Sequence, residues 1–249
     1  GYFHTPGLPE EVQDTRPQSQ LMAVIHRQGQ AVVSQALQQE LRQGLKQLGL
    51  VADDSQVMSL ITYLLLLKKW NHHFNLSGID DIDAMVSMHL LDSLSLNPYL
   101  HGSRIVDVGT GAGLPGIPLA IMNPEKNFLL IDSNGKKTRF LFQVKIALQL
   151  ENISVVNTRI EHYQNQQQID MVMCRAFSTL EEMVTKSQHL FGKETKLLAM
   201  KGRYPEQELR ELPTGFEVSR VIKLEIPGSE THRHFVEVIR NEFWREPSG

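Results

Sequence analysis

Arg104-Ile-Val-Asp-Val-Gly-Thr-Gly-Ala-Gly-Leu-Pro-Gly116 runs from a short apolar stretch into a carboxylate, Asp107, and then into three glycines at alternate positions, Gly109, Gly111 and Gly113. Ile117-Pro-Leu-Ala120 follows and suits the start of a helix. Glycine has no Cβ, so the backbone there can turn sharply and press close against a ligand. Asp107, at the end of the predicted strand, puts negative charge where that ligand would lie. Strand, glycine turn and helix in this order open a βα unit. The acid suits a cationic nucleoside better than a pyrophosphate.

Downstream, β-rich runs alternate with helical ones. The strands are expected at Ile105–Val108, Phe128–Ile131, Ile153–Val156, Ile169–Met173 and Lys196–Met200. Helices are expected at Gly116–Met122, Lys136–Leu150, Leu180–Leu190 and Pro205–Leu212. Such alternation predicts a mostly parallel sheet covered on both faces. Phe216–Ile226 and His234–Arg240 break it: Pro227-Gly228-Ser229 joins them without a helix, so they should pair antiparallel at the sheet edge.

Upstream, the chain reads as helix. Apolar residues recur at three and four positions from Ala31 to Leu50. Asp53-Asp54-Ser55 caps a second helix ending near Trp70-Asn71, and a third fits Ile82 to Leu96, with Pro98 beyond it. The expected division is a helical N-terminal region over 21–100 and an α/β domain over 101–249. Residues 1–20 are polar, interrupted by Pro6, Pro9 and Pro17, and are expected to be a disordered leader or foreign to the natural chain.

Bulk properties narrow the classes. At 249 residues and 41% apolar content the chain can bury one good core. No run reaches the roughly eighteen apolar residues of a membrane span, so no membrane partner is expected. Cys174 is the only cysteine, which rules out intrachain disulfides and fits a reducing cytoplasm. The histidines lack zinc spacing, so no metal is expected. A net charge of −3 does not advertise nucleic-acid binding, and any RNA contact must come from local basic clusters.

Two cofactors compete for the glycine loop. Gly111-Ala-Gly113-Leu-Pro-Gly116 also satisfies the dinucleotide spacing G-x-G-x-x-G, with Asp132 on the next strand. Asp107, however, opposes dinucleotide phosphates and complements the ammonium of S-adenosylmethionine, directly or through a water. Asp132 can accept both ribose hydroxyls in either case. The closing β-pair favours a methyltransferase sheet. A tight turn with no ligand is the bland alternative.

Several blocks in register carry a resemblance. They are Asp107-Val-Gly-Thr-Gly-Ala-Gly-Leu-Pro-Gly-Ile-Pro-Leu-Ala120, Leu130-Ile-Asp132-Ser-Asn-Gly-Lys-Lys137, Arg175-Ala-Phe177 and Met200-Lys-Gly202. Lys69-Trp-Asn-His-His-Phe-Asn75-Leu-Ser77 and Met88-His-Leu-Leu-Asp-Ser93 precede them. From about residue 50 to 240 the chain resembles the bacterial ribosomal RNA small subunit methyltransferase G family, also called glucose-inhibited division protein B. The resemblance implies a Rossmann-like class I S-adenosylmethionine-dependent fold with a seven-stranded sheet. It implies a monomer that methylates guanine N7 in 16S rRNA of the small ribosomal subunit. It places the cofactor against Gly109, Leu114, Ile160, Glu161 and Arg175, beside the Asp107, Gly111, Gly113 and Asp132 read from the loop.

Guanine N7 offers a lone pair and no proton, so no catalytic base is expected. Arg175, at the end of the fourth strand, either holds the methionine carboxylate or donates to guanine O6 or a phosphate, with a solvated loop arginine as the bland alternative. Arg159, Lys201 and Arg233, with Arg203 and the Lys136, Lys137 and Arg139 group, are candidates for a basic RNA track, each with a solvated surface charge as the equal alternative. Asn75 and His89 either meet RNA or tie the helices to the sheet. Phe74 and Phe177 read as core aromatics rather than as stacking platforms for an extruded base, and Cys174 as a buried thiol rather than a nucleophile. A small-molecule methyltransferase, a nicotinamide dehydrogenase and a non-catalytic nucleoside sensor are the rival classes.

Overall fold

The computed structural model describes residues 35–164, 167–175 and 179–245. The expected leader, the start of the first helix and Phe177 lie outside the described residues. Helix α1 covers 35–47, buries Leu37, Leu41 and Leu45 on one face, and is followed by Gly49 with φ 70°. Asp53 caps α2 (Asp54–Phe74) through a reciprocal pair: its carboxylate accepts from Gln56 N–H while the Gln56 side chain accepts from Asp53 N–H. This helix runs one turn past its expected end. Asn75, at φ 49°, closes it in the left-handed region, where asparagine is tolerated.

The third helical segment is not regular. α3 (Ile82–Met85) passes through a π-helical stretch, Val86–Leu91, into α4 (Asp92–Leu94). Such insertions recur at functional sites. Here the run buries Ser87, His89, Asp92 and Ser93, an unusual load of polar side chains.

The sheet is built from β1 (Arg104–Val108), β2 (Asn127–Asp132), β3 (Ile153–Asn157), β4 (Ile169–Arg175), β5 (Phe191–Lys201), β6 (Phe216–Leu224) and β7 (Arg233–Arg240). Their order is β3-β2-β1-β4-β5-β7-β6. The first five are parallel, and β7 runs antiparallel between β5 and β6. The closing pair therefore forms as expected, with the earlier strand outermost. β5 begins at Phe191 rather than Lys196, because polar Gly192-Lys-Glu194 carries no apolar signal. A register shift between Ile169 and Met171 takes up the irregularity.

Period-two alternation sorts the strands onto two cores. Ile105, Phe128, Leu130, Met171, Met173, Leu198 and Phe235 pack with α2, the π-helical run, α5 (Gly116–Met122) and α6 (Gly135–Leu148). Val106, Ile131, Val172, Leu197 and Val236 pack instead with α7 (Leu180–Ser187) on the opposite face. The short α8 (Glu206–Arg210) lies between β5 and β6 in the chain. The chain leaves β1 for β2 and β3, then returns to β4 on the other side of β1. That reversal opens a crevice at the carboxyl ends of β1 and β4, where ligands bind in such sheets.

Candidate active site

The glycine loop fills one lip of the crevice. Gly109 and Thr110 donate their N–H groups to the Ile131 carbonyl at 2.8 and 3.1 Å, folding the loop back over β2. Gly109, Gly111 and Gly113 all have positive φ, at 65°, 62° and 92°. Their surroundings differ. A Cβ on Gly111 would meet nothing closer than 3.9 Å, so this position opens on the crevice. A Cβ on Gly113 would lie 2.4 Å from Ile117 Cγ1, and one on Gly116 would lie 2.4 Å from Leu130 Cδ2. Those two glycines let α5 seat against the sheet. Gly113, expected beside the ligand, faces the core.

The two acids also divide their work. Asp132 accepts from Asn134 N–H at 2.8 Å through Oδ1 and from Gly111 N–H at 2.9 Å through Oδ2. Its side chain lines the crevice. Asp107 is 0% exposed, and its Oδ2 accepts from Thr110 Oγ1 at 2.7 Å and from Gly116 N–H at 2.8 Å. Its other oxygen, Oδ1, is buried without a hydrogen-bond partner among the described residues. Burial pushes this carboxyl up to about 7, against the opposing pull of Thr110, Gly116 and Arg175. An orphaned buried acceptor beneath an open glycine turn fits a cationic group.

Two adjoining hollows share Gly109 and Lys137. The first, about 500 Å³, is lined by Asp132, Ile160 and Glu161, with Arg159 and Lys186 at its rim. The second, about 390 Å³, is lined by Gly111, Leu114, His89 and Arg175, and by the Leu76–Ile79 segment that follows α2. Of the cofactor residues read from the sequence, all but Asp107 and Gly113 line one hollow or the other.

Arg175 is no free loop arginine. Its Nη1 donates to Asp92 Oδ2 at 3.1 Å and to the Met88 carbonyl at 3.3 Å. Asp92 Oδ1 accepts from Arg233 Nε at 2.7 Å. His89 sits beside this cluster. Its Nε2 lies 2.6 Å from Ser77 Oγ, which in turn accepts from Ile79 N–H at 3.1 Å. Burial, reinforced by the Arg175 charge, lowers the His89 imidazole to about 4, so it is neutral. Its Nδ1 lies 3.1 Å from the Met88 carbonyl, which can only accept, so the single proton sits on Nδ1 and the Ser77 hydroxyl donates to Nε2. His89 is thus engaged in tying the helical region to the wall of the crevice.

The basic candidates disperse. Arg159 is exposed on the crevice rim, and Arg203 is exposed after β5. Lys201 ion-pairs with Glu208 at 2.6 Å, and Arg233 is tied to Asp92. Asn75 is spent as the helix cap, exposed to solvent. Phe74, expected in the core, is 42% exposed against Trp70, at 5.2 Å between rings, because α2 outlasts the core it covers. Cys174 is buried, and burial raises its thiol to about 12. The sequence reading had no role for Asp92 or Tyr63. The signals available for Asp92 are an acid in an otherwise apolar helical run and its place in the Met88–Ser93 block.

A mostly parallel seven-stranded sheet with one antiparallel strand, a glycine loop after β1 and an acid ending β2 define a Rossmann-like class I methyltransferase fold. The profile of the rRNA small subunit methyltransferase G family matches residues 56–236. The chain is 50% identical to the ribosomal RNA small subunit methyltransferase G of Nitrosococcus oceani over 198 residues, 80% of this chain and 92% of that protein. It is 48% identical to its Stutzerimonas stutzeri counterpart, over 83% of this chain and 97% of that one. This chain belongs to the ribosomal RNA small subunit methyltransferase G family.

Proposed function

We propose that this chain transfers a methyl group to N7 of one guanine in the 16S rRNA of the small ribosomal subunit. S-adenosylmethionine, as the donor, supplies a methyl group on a sulfonium. Asp132 would hold the ribose hydroxyls between Gly109 and the Ile160–Glu161 pair. Asp107 Oδ1 would face the ammonium, directly or through a water, with Gly111 and Leu114 beside it. Arg175 would meet the methionine carboxylate.

The observation that best supports N7 is the state of His89, Tyr63 and Cys174; the Asp107 carboxyl, though raised to about 7, lines neither hollow. His89 is neutral with Nε2 engaged by Ser77, and the Tyr63 hydroxyl is committed to the Ala112 carbonyl at 2.7 Å. The buried Cys174 thiol stays protonated, which disfavours a covalent adduct of the cytosine-methylating kind. A nucleophile that carries no proton needs none of them. Alignment and charge placement then account for the chemistry. Exposed Arg159, with Lys137 and Lys186 lining the same hollow, gives the crevice a basic rim suited to RNA. We further propose that the chain acts as a cytoplasmic monomer.

The deciding experiment uses small subunits or rRNA from a strain lacking this modification, with labelled donor. Replacing the target guanine by 7-deazaguanine should abolish transfer. Undiminished labelling of that RNA would refute N7, and labelling of small molecules alone would favour the rival methyltransferase class.

A further inference from the structure

Two arginines from different strands converge on one buried carboxylate. Asp92 is 1% exposed, and its two oxygens are divided between Arg175, at the end of β4, and Arg233, at the start of β7. We propose that Asp92 is a positioning residue, holding the Arg175 guanidinium at the crevice for the carboxylate of the donor's methionine part. The proposal rests on the methyl-donor reading above.

The geometry supports it in three ways. Arg175 lines the hollow that contains Gly111 and Leu114, whereas Arg233 and Asp92 do not. Asp92 and the Met88 carbonyl together occupy Nη1, which fixes the plane of the guanidinium and leaves Nε–H without a partner among the described residues. Finally, the charge is not cancelled. Arg233 shares the carboxylate, so two guanidiniums and one acid leave one net positive charge, and neutral His89 adds none. A simple Asp–Arg pair would orient the arginine and quench it. The three-member cluster orients it and keeps its pull on an anion.

Calorimetry with two ligands tests this. S-adenosylhomocysteine carries the amino-acid carboxylate, and 5′-methylthioadenosine lacks it. Asp92→Asn is expected to weaken the first by about tenfold or more, as for a lost charge-assisted contact, and to leave the second unchanged. In an Arg175→Met background the same change should add no further loss, since Asp92 acts through Arg175. Equal weakening of both ligands, unchanged binding of both, or a loss that persists in the Arg175→Met background would overturn the proposal. A residue that only holds the fold moves both ligands together. If Asp92→Asn does not fold, Arg233→Met serves instead. It keeps the Asp92–Arg175 pair and removes the surplus charge, so S-adenosylhomocysteine alone should weaken, and loss of that selectivity overturns the idea. A wild-type chain that binds neither ligand would remove the methyl-donor reading itself.

Discussion

The Tyr63 hydroxyl donates to the Ala112 carbonyl oxygen at 2.7 Å, fastening the middle of α2 to the crest of the glycine loop. Both residues are buried, so the bond is made away from bulk water. Tyr63→Phe keeps the ring against Phe140 and strips only the hydroxyl. The variant should lose about 1–3 kcal/mol of stability, the cost of an unsatisfied buried carbonyl. Urea unfolding measures it. A midpoint identical to wild type would mean that the loop is held without this contact.

The loop glycines should separate into two behaviours. Gly116→Ala drives a Cβ to 2.7 Å from Asp107 Oδ2 and 2.4 Å from Leu130 Cδ2, so it should lose about 1–3 kcal/mol of stability through overpacking. Gly111→Ala faces open space, and its cost is the left-handed φ of 62°, about 1–2 kcal/mol. Its larger effect should fall on S-adenosylhomocysteine affinity, because the new methyl projects where the cofactor is proposed to lie. Thermal unfolding with and without that ligand distinguishes them. A Gly111→Ala protein with full ligand-induced stabilisation would take Gly111 out of the site.

Asp132→Ala removes an acceptor for two backbone N–H groups as well as the proposed ribose contact. Ligand affinity should fall by about 1–3 kcal/mol. Calorimetry with adenosine, which has the ribose but no methionine part, checks the assignment. Equal adenosine binding in both proteins would rule out a ribose role for this carboxylate.

How much of this was legible beforehand follows from range. Asp107, Gly109 and Asp132 could be placed because a strand, a turn and the next strand are contiguous signals, each set by local chemistry. The partner sets of Arg175 and Arg233 could not. Their shared carboxylate lies 83 and 141 residues away in the chain, and only the strand order brings them together. Arg233 reads as a free cation for the same reason, whereas Lys201 does so although Glu208 is only seven residues on, because that acid sits on a separate short helix, α8, that the strand pattern does not place. Gly113 and Gly111 have the same residue type and a similar φ, so sequence alone gives them one role. The side chains of Ile117 and Leu141 separate them. The π-helical run left no periodic signature, since its single extra residue only shifts the phase of an apolar pattern.

Asp107 and His89 should give opposite pH signatures. The Asp107 carboxyl is raised from 3.8 to about 7 in the folded chain, so between those values the native state holds a proton that the unfolded state releases. Its contribution to stability is therefore greatest below about pH 4 and declines as pH rises towards 7. His89 is lowered from 6.5 to about 4, so its unfolded form takes up a proton that the native form refuses, and its contribution grows with pH across that window. The two slopes offset each other in the wild type. Asp107→Asn removes the falling slope and should expose a net rise in stability with pH; urea unfolding at a series of pH values measures both proteins. A difference between wild type and Asp107→Asn that stays constant from pH 4 to 7 would mean that Asp107 ionises at its ordinary value. Near pH 7 the free protein should also release part of a proton when a cationic ligand settles against Asp107. Calorimetry in buffers of different ionisation enthalpy reads that release directly, and S-adenosylmethionine binding with none would place its ammonium elsewhere.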